Sequence, residues 1–247
     1  MALNIVIMAA GKGTRMNSRH PKVLHKLAGR SLLQRVLDTA ATLRAERIIT
    51  VTGHGADAVE AGVTAPHLRF VRQVLQLGTG HAVQQAMPAL PDEGTTLILN
   101  GDVPLIQAAT LRTLVQACAG RQLALLTIVL PDPTGYGRIV RDGKAVRAVV
   151  EHKDASPAQR AIAEVYTGVM AAPTALLKRW LANLRNDNVQ GEYYLTDVVA
   201  LAVADGVPIT ATAAANETEV LGINSPLQLA QLERRLQRQL AETLMHA

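Results

Sequence analysis

The sequence predicts an α/β protein whose central sheet is mostly parallel and covered by helices on both faces. Short runs rich in β-branched and aliphatic residues alternate, through the first half, with amphipathic stretches of helical length. The short runs are Leu3–Ala9, Arg47–Thr52, Leu68–Arg72 and Thr95–Leu99. Strands that alternate with helices favour parallel pairing, and 247 residues suffice for a large core. Ligands of such sheets bind beyond the carboxyl ends of the strands.

The second half of the sequence indicates an antiparallel addition to the same sheet. Gly135–Arg141 and Ala145–Glu151 flank Asp142-Gly143, a dipeptide typical of a β-hairpin turn. Val165–Ala171 is rich in apolar residues and predicts a further strand. We therefore expect a small antiparallel subdomain beside the parallel strands.

A long helix is predicted at the C-terminal end. Ser225 suits the N-cap and Pro226 the first helical position. Leucines then recur at spacings of three and four, at Leu229, Leu232, Leu236, Leu240 and Leu244. This stripe predicts packing against the body of the protein, with a partner interface as the alternative. The expected organisation is a body over residues 1–224 and a terminal helix over residues 225–247.

Positive charge is concentrated in the first 37 residues. This segment contains seven Lys or Arg and no Asp or Glu, so the other 210 residues carry a net charge of −2. One basic segment suits a compact polyanion such as a triphosphate, whereas nucleic-acid binders usually carry a broad basic face. Aromatic residues make up 2% of the chain, which disfavours stacking on bases. We expect no nucleic-acid partner.

Cysteine content and hydropathy indicate a reducing, cytoplasmic environment. Cys118 is alone, which excludes a disulfide framework, and its apolar neighbours predict a buried helical position. No positively charged region precedes a long apolar run at the N-terminus, and no apolar segment reaches 18 residues. We expect no membrane association.

A glycine-rich loop with cationic residues follows the first predicted strand. It reads Ala9-Ala10-Gly11-Lys12-Gly13-Thr14-Arg15-Met16, and Pro21-Lys22 comes shortly after it. Small residues let backbone N–H groups approach an anion. The nucleotide-kinase loop has the pattern Gly-x-x-x-x-Gly-Lys-Ser/Thr, and this loop does not match it. It also differs from the dinucleotide-binding fingerprint, because Met16 stands where that fingerprint has a third small residue. The pattern predicts a phosphate site with Arg15 and Lys22 as its cations.

Five further segments carry polar and glycine-rich motifs. They are Gln73–Ala82, Asn100–Leu105, Pro133–Arg138, Val150–Asp154 and Gln190–Asp197. Together with the glycine loop, these motifs resemble, in order, the uridyltransferase domain of the bacterial bifunctional N-acetylglucosamine-1-phosphate uridyltransferase/glucosamine-1-phosphate acetyltransferases, a branch of the sugar-nucleotide pyrophosphorylases. The resemblance extends from about Ile5 to about Glu233. It implies a Rossmann-like nucleotidyltransferase fold in which the antiparallel subdomain lies on the sugar side.

The resemblance implies transfer of a uridylyl group from UTP to N-acetylglucosamine 1-phosphate. The products would be pyrophosphate and UDP-N-acetylglucosamine, a precursor for peptidoglycan and lipopolysaccharide. The attacking phosphate monoester has a second pKa of about 6, so no general base is needed. The alternatives are a related nucleotidyltransferase with a different sugar or base, a non-catalytic sugar-nucleotide-binding module, and an NAD-linked oxidoreductase, which Met16 disfavours.

The resemblance also assigns roles to the matching positions. Arg15 and Lys22 are the expected catalytic cations, and Asp102 and Asn224 the expected ligands of Mg²⁺, which binds oxygen atoms. The amides of Gln73 and Gln76 can read the edge of a pyrimidine. The expected nucleotide-binding residues are Ala9, Ala10, Gly11, Gly13, Lys22, Gln73, Gln76, Gly78 and Thr79. The expected sugar-binding residues are Asn100, Gly101, Asp102, Gly137, Glu151, Tyr166 and Thr167.

The chain departs from the family pattern at two of these positions. Tyr166 stands where Asn is usual, which removes an amide that contacts the sugar, and Asn100 stands where Tyr is frequent. The left-handed β-helix that transfers acetyl groups in the full-length family needs hexapeptide repeats, and this sequence contains none. We expect no acetyltransferase activity from this polypeptide. We also expect a monomer, although the full-length family forms homotrimers.

Overall fold

Burial on both faces makes Leu3–Ala9 a central strand, β1, in the computed structural model, which describes residues 2–245. Ile5 and Ile7 face one layer of the core, and Val6 faces the other. Successive side chains of a strand point to opposite faces of a sheet, so an unbroken apolar run buries both faces. The fold is built outward from this strand.

The predicted strands and helices occur in the predicted order with small shifts of their ends, and β2, β3, α5 and β11 are additional elements. The other strands are β2 Lys26–Leu27, β3 Arg30–Ser31, β4 Arg47–Thr52, β5 Leu68–Arg72, β6 Thr95–Asn100, β7 Leu123–Val129, β8 Gly137–Asp142, β9 Ala145–Val150, β10 Glu164–Pro173 and β11 Ile209–Ala213. The α-helices are α1 Leu32–Ala41, α2 Ala56–Ala61, α3 Thr79–Ala86, α4 Ala108–Cys118, α5 Pro157–Arg160, α6 Thr174–Ala182, α7 Asp197–Ala204 and α8 Pro226–Met245. Short 3-10 turns lie at Thr14–Met16, Lys22–Leu24, Met87–Ala89 and Thr218–Val220.

The main sheet is mostly parallel, as predicted. Over the described residues it has nine strands, with a main path β11-β7-β10-β6-β1-β4-β5 and the β8–β9 hairpin attached to β10. β10 is antiparallel to its neighbours β6 and β7, and the other pairs on the path are parallel. The antiparallel strand therefore lies inside the sheet, and its first residues carry the predicted hairpin.

The register aligns the carboxyl ends of the parallel strands at one edge. Ala9 pairs with Thr52, Thr52 with Arg72, and Met8 with Asn100. β10 runs in the opposite direction, so its first residues lie at this same edge. The edge thus brings together the ends of β1, β4, β5 and β6, the start of β10 and the hairpin.

Helices cover both faces of this sheet. Leu37 of α1 and Leu114 of α4 are buried in one core layer, while Val83 of α3 and Trp180 of α6 are buried in the other. Each fully buried side chain of this size contributes about 1.5–3 kcal/mol. Cys118 is buried in the first layer, as predicted, and burial raises the pKa of its thiol. None of the described helices combines the length and hydrophobicity that a membrane span requires.

The terminal helix α8 packs along its first half only. Ser225 caps it as predicted, since its Oγ accepts a backbone N–H at 3.2 Å. Leu240 and Leu244 are 51% and 77% exposed, so the prediction that the whole stripe packs is wrong for its last two members. The small cluster that covers the helix does not extend to the last turns. Residues 246 and 247 of the predicted segment lie outside the described residues. The leucines that do pack are Leu229, Leu232 and Leu236.

Candidate active site

The glycine loop lies at the carboxyl end of β1, where the rule for parallel sheets predicts a site. Gly13 has a φ of 62°, in the left-handed region that residues with side chains rarely adopt. A Cβ at Gly13 would lie 2.6 Å from the Cβ of Lys22. The loop therefore lies directly against the lysine stem, and its shape fixes where the ammonium group can reach.

A cavity of about 430 Å³, here called the loop cavity, opens beside this loop. It gathers most of the predicted nucleotide-binding residues, whereas Gly13 lies behind the cavity wall against Lys22. Lys12 and Glu192 also line it, and the sequence analysis gave neither of them a role. The predicted residues that line it are Ala9, Ala10, Gly11, Lys22, Gln73, Gln76, Gly78, Thr79, Asn100 and Asp102.

Lys22 bridges the two predicted metal ligands. Its Nζ donates one hydrogen bond to Oδ2 of Asp102 and another, of 3.1 Å, to Oδ1 of Asn224. The side chains of Lys22 and Asp102 are only 14% and 19% exposed. Asp102 follows β6 and Asn224 precedes α8, so the fold brings distant parts of the chain around one positive charge.

These two oxygen atoms suit a divalent cation. A carboxylate oxygen and an amide oxygen already converge on one cationic group, and Mg²⁺ prefers oxygen ligands. Mg²⁺ commonly takes one or two protein ligands and completes its shell with water and substrate phosphate oxygens. The described part of the chain has no cluster of three or more His, Cys, Asp or Glu side chains that could hold a metal. Substrate oxygens would therefore have to complete this site.

Gln73 presents an amide oxygen to the loop cavity. The residue is 3% exposed, and its Nε2 lies 3.0 Å from the carbonyl oxygen of Gly78 and 3.0 Å from Nδ1 of His81. The Gly78 carbonyl accepts one amide proton, and Nδ1 of His81 accepts the other in the tautomer that carries the ring proton on Nε2. In that tautomer Oε1, an acceptor, is the group that Gln73 offers to a ligand.

The turn before α3 is built for close backbone contact. Gly78 has a φ of 106°, and a Cβ there would lie 2.6 Å from the carbonyl oxygen of Tyr193. Thr79 begins α3, and its Oγ1 accepts the N–H of Leu195 at 3.0 Å. The second amide predicted to read a base, Gln76, lies at the cavity wall and contacts the backbone of Gln73 at 3.4 Å.

A second cavity of about 330 Å³, here called the hairpin cavity, lies next to the first. Met8, Thr79, Asn100 and Asp102 line both cavities, so the two form adjacent halves of one site. Gly101 lines neither cavity, because its N–H donates to the Met8 carbonyl at 2.9 Å within the sheet. The predicted sugar-binding residues that line the hairpin cavity are Asn100, Asp102, Gly137, Glu151, Tyr166 and Thr167.

Glu151 is a half-buried acid of the hairpin cavity. Burial raises the pKa of its carboxyl group, nearby Asp197 and Asp154 raise it further, and a hydrogen bond from Thr196 opposes the rise. That bond joins Oγ1 of Thr196 to Oε1 of Glu151 at 3.0 Å. A Cβ at Gly137 would lie 2.8 Å from Cγ1 of Val149 and 3.7 Å from each Glu151 carboxylate oxygen, so the close packing of β8 on β9 beside the acid requires a glycine here.

The two predicted β10 residues differ in how their hydroxyl groups are used. Thr167 donates from Oγ1 to the carbonyl oxygen of Leu126 at 2.9 Å, so its proton is already engaged. Tyr166 is buried, and its hydroxyl has no hydrogen-bond partner among the described residues. Burial and the nearby Glu151 carboxylate raise the pKa of the Tyr166 phenol.

Arg15 lies apart from the loop cavity. It is exposed on the 3-10 turn Thr14–Met16, lines the hairpin cavity, and makes no ion pair within residues 2–245. The guanidinium group of Arg15 is therefore free to bind a phosphate group next to the loop cavity.

Sequence reasoning missed two residues that orient site groups. His81 holds the Gln73 amide, and Thr196 holds the Glu151 carboxylate. Both lie inside motifs that the sequence analysis singled out, but their spacing from the groups they orient gave no signal. His81 follows Gln73 by eight residues and Thr196 follows Glu151 by 45, so only the fold brings each pair together.

Comparison with known proteins agrees with this architecture. A family model described as the MobA-like NTP transferase domain matches residues 5–242. A protein of Methylibium petroleiphilum named Bifunctional protein GlmU is 70% identical over 253 residues, covering 99% of this chain and 55% of the relative. A protein with the same name from Polaromonas naphthalenivorans is 61% identical over 254 residues, covering 98% and 54%. The chain thus spans about half the length of the curated relatives it matches.

Solved structures share the fold at low sequence identity. A nucleotidyl transferase from Methanothermobacter thermautotroptrophicus matches with a TM-score of 0.66 and 20% identity, covering 96% of this chain and 99% of the other. A UDP-glucose pyrophosphorylase complexed with UDP-glucose matches with a TM-score of 0.77 and 15% identity, covering 97% and 100%. These matches confirm the predicted nucleotidyltransferase fold.

Proposed function

The chain belongs to the MobA-like NTP transferase domain family, and we propose that it transfers the uridylyl group of UTP to N-acetylglucosamine 1-phosphate. The products are UDP-N-acetylglucosamine and pyrophosphate. One observation carries the proposal: the cavity beside the glycine loop and the cavity that contains Glu151 share a wall that contains Asp102. A nucleotide in the first and a sugar phosphate in the second would meet at that wall.

The arrangement around Gln73 supports uracil as the base. With both amide protons engaged, Oε1 can only accept a hydrogen bond. Uracil presents an N–H at ring position 3, whereas cytosine presents an acceptor there. An amide held in this orientation therefore favours UTP over CTP. His81 contributes by holding the amide.

The hairpin cavity supports a hexose phosphate as the second substrate. Glu151 accepts hydrogen bonds from sugar hydroxyl groups, and Gly137, which has no side chain, lines the cavity beside it. Arg15, which lines the same cavity, is a bidentate donor to phosphate oxygens. The sugar would thus be read by buried groups and its phosphate by an exposed cation.

The reaction is an in-line displacement at the α-phosphorus of UTP. An oxygen of the sugar phosphate forms the new bond to the α-phosphorus, the bond from that phosphorus to the bridging oxygen breaks, and pyrophosphate leaves with the electron pair. The nucleophile is largely ionised at neutral pH because its second pKa is about 6, so no residue has to remove a proton. Lys22, whose stem packs against the glycine loop, neutralises charge on the triphosphate and on the leaving pyrophosphate, and Arg15 neutralises charge on the attacking sugar phosphate.

We propose Mg²⁺ as the required ion, held by Asp102 and Asn224. When bound, it would neutralise charge on the substrate phosphates and help to orient them. The convergence of both side chains on the Lys22 ammonium supports a cation at this position.

A panel of nucleoside triphosphates and sugar 1-phosphates, assayed with Mg²⁺ for pyrophosphate release, tests the proposal. We expect the fastest release with UTP and N-acetylglucosamine 1-phosphate, and much slower release with CTP. Equal rates with CTP would contradict the role of Gln73. Binding of UDP-N-acetylglucosamine without turnover of any pair would instead favour a non-catalytic binding module.

A further inference from the structure

Arg138 is a fully buried arginine without an acidic partner. It is 1% exposed, and it forms no ion pair within residues 2–245. A guanidinium group stays protonated in proteins, and burying a charge lowers stability unless its N–H groups are hydrogen-bonded. Arg138 ends the motif Pro133–Arg138, yet it lines neither cavity of the site. A buried charge in this place needs an explanation that substrate contact does not supply.

The donors of Arg138 connect three segments around the β8–β9 hairpin. Nη1 donates to the carbonyl oxygen of Tyr136, which lies just before β8. Nε and Nη2 each lie 3.4 Å from the carbonyl oxygen of Arg160, at the end of α5. Nη2 also lies 3.2 Å from Nδ1 of His152, two residues after β9. Arg160 completes the network, because its Nε donates to the His152 carbonyl at 3.3 Å.

The contact with His152 determines where the proton of its ring is carried. Arginine has donors and no acceptor, so Nδ1 of His152 has to accept in this contact. The ring is therefore neutral, with its proton on Nε2. A second proton would remove the acceptor and place two positive charges beside each other. Arg138 thus pairs with a neutral imidazole in a fixed orientation.

The pair lies where the hydrogen-bonded ladder of the hairpin ends. The last rung towards the cavity joins Arg138 of β8 to Val150 of β9. Tyr136 and Glu151, which line the hairpin cavity, lie beyond this rung, directly before β8 and directly after β9. The sheet therefore does not hold these two walls together. The side chain of Arg138 does, through the Tyr136 carbonyl on one side and the His152 ring on the other.

We infer that Arg138 and His152 form a positioning pair that holds the Tyr136 and Glu151 walls of the hairpin cavity at a fixed separation. This inference rests on the proposed function. Neither residue touches the substrate, so each acts through its neighbour in the chain. The pair should matter for binding of the sugar phosphate, and it should not affect UTP, which occupies the loop cavity.

Two substitutions of His152 separate positioning from general stability. His152→Asn keeps an acceptor, because Oδ1 of asparagine stands at the same distance along the side chain as Nδ1 of histidine. His152→Leu has a similar size and no acceptor. We expect His152→Leu to raise the KM for N-acetylglucosamine 1-phosphate about tenfold with an unchanged dissociation constant for UTP, and His152→Asn to remain within about threefold of the wild type.

These variants contradict the inference if the acceptor makes no difference. An unchanged KM in His152→Leu, an equal rise in both variants, or an equal loss of UTP affinity would each overturn it. Melting temperatures of both variants are measured alongside. A lower melting temperature of His152→Leu with a wild-type KM would show that the contact only stabilises the fold.

The ¹⁵N NMR signals of the His152 ring test the pair without turnover. Comparison with the spectrum of His152→Asn assigns the signals. We expect a neutral ring that carries its proton on Nε2 in the wild type at neutral pH. A charged ring, or a proton on Nδ1, would overturn the contact with Arg138.

The wild-type enzyme separates failure of this inference from failure of the proposed function. If the wild type forms no UDP-N-acetylglucosamine from UTP, the proposed function fails, and the positioning role fails with it even where NMR shows the pair. If the wild type is active and His152→Leu keeps its KM for the sugar phosphate, the function stands and only the positioning role is refuted.

Discussion

The loop cavity and the hairpin cavity share four residues but are built in different ways. The loop cavity is formed by backbone at the ends of parallel strands, with exposed or bridging cations around it. The hairpin cavity is formed mainly by side chains of antiparallel strands; of its polar groups, Tyr166 is buried and Glu151 is half-buried.

This difference predicts how each half responds to change. A cavity lined by backbone groups recognises the charge and position of its ligand and tolerates changes in most side chains. A cavity lined by side chains recognises one pattern of hydrogen-bonding groups on its ligand. Changes at the loop cavity should therefore alter kcat, and changes at the hairpin cavity should alter selectivity for the sugar. Four experiments test whether the two cavities have these separate roles.

The largest effect is expected at Lys22. Replacing Lys22 by Ala removes charge stabilisation of about 3 kcal/mol, so kcat should fall roughly a hundredfold. Lys26→Ala is the matched control, because Lys26 is an exposed lysine of the same segment that lines neither cavity. Steady-state kinetics with UTP measures both variants. Near wild-type turnover of Lys22→Ala would remove Lys22 from the mechanism.

The second effect concerns the space under Asn100. Gly168 has a φ of 86°, and an added Cβ would collide with the Asn100 amide. We expect Gly168→Ala to raise the KM for the sugar phosphate about tenfold without changing the dissociation constant of UTP. Gly29→Ala is the control, because Gly29 has a φ of 79° and no atom within 4 Å of an added Cβ. It shares the backbone strain without the collision, so an equal KM change in both variants would refute the steric explanation.

The third effect is on metal affinity. Lys22 occupies the position between the two proposed ligands, so an ion must displace its ammonium group. Lys22→Met should therefore bind Mn²⁺, a substitute for Mg²⁺, about tenfold more tightly in the absence of nucleotide. Paramagnetic resonance of free Mn²⁺ measures this constant. Lys12→Met, which removes a charge from the same cavity but not from the ligands, should change it less, and equal changes would refute direct competition.

The smallest effect is on the pH dependence of stability. The pKa of Glu151 is raised in the folded protein, mainly by burial, so its ionised form destabilises the fold. This cost is absent below the ordinary glutamate pKa of about 4.3 and grows as pH rises through the folded pKa. Glu151→Gln should therefore gain unfolding free energy relative to the wild type at about pH 8 and little at about pH 5. Urea unfolding at both pH values measures the difference; a gain independent of pH would exclude titration as the cause.

Sequence alone predicted the parallel part of the fold because its strands are strongly apolar. β1 and β4 match the predicted ranges from end to end, since strands buried on both faces have a continuous apolar signal. β11, Ile209–Ala213, was missed. It alternates Thr and Ala at the edge of the sheet and is only partly buried, so its hydropathy does not mark it.

The sequence indicated candidate residues for the site, but not how their hydrogen bonds are used. The resemblance paired Asp102 with Asn224, yet nothing in the sequence indicated that Lys22 would bridge the two. The engaged amide of Gln73 and the unpaired phenol of Tyr166 were equally invisible, because each depends on partners that only the folded chain supplies.

The most direct test of the account follows phosphorus from UTP into the product. The two cavities are proposed to align a sugar phosphate with the α-phosphorus, so ³²P at the α position of UTP should appear in UDP-N-acetylglucosamine. Label at the γ position should appear only in pyrophosphate. Transfer of the γ label to the sugar, or no sugar-dependent loss of either label, would contradict the proposed alignment of the two cavities.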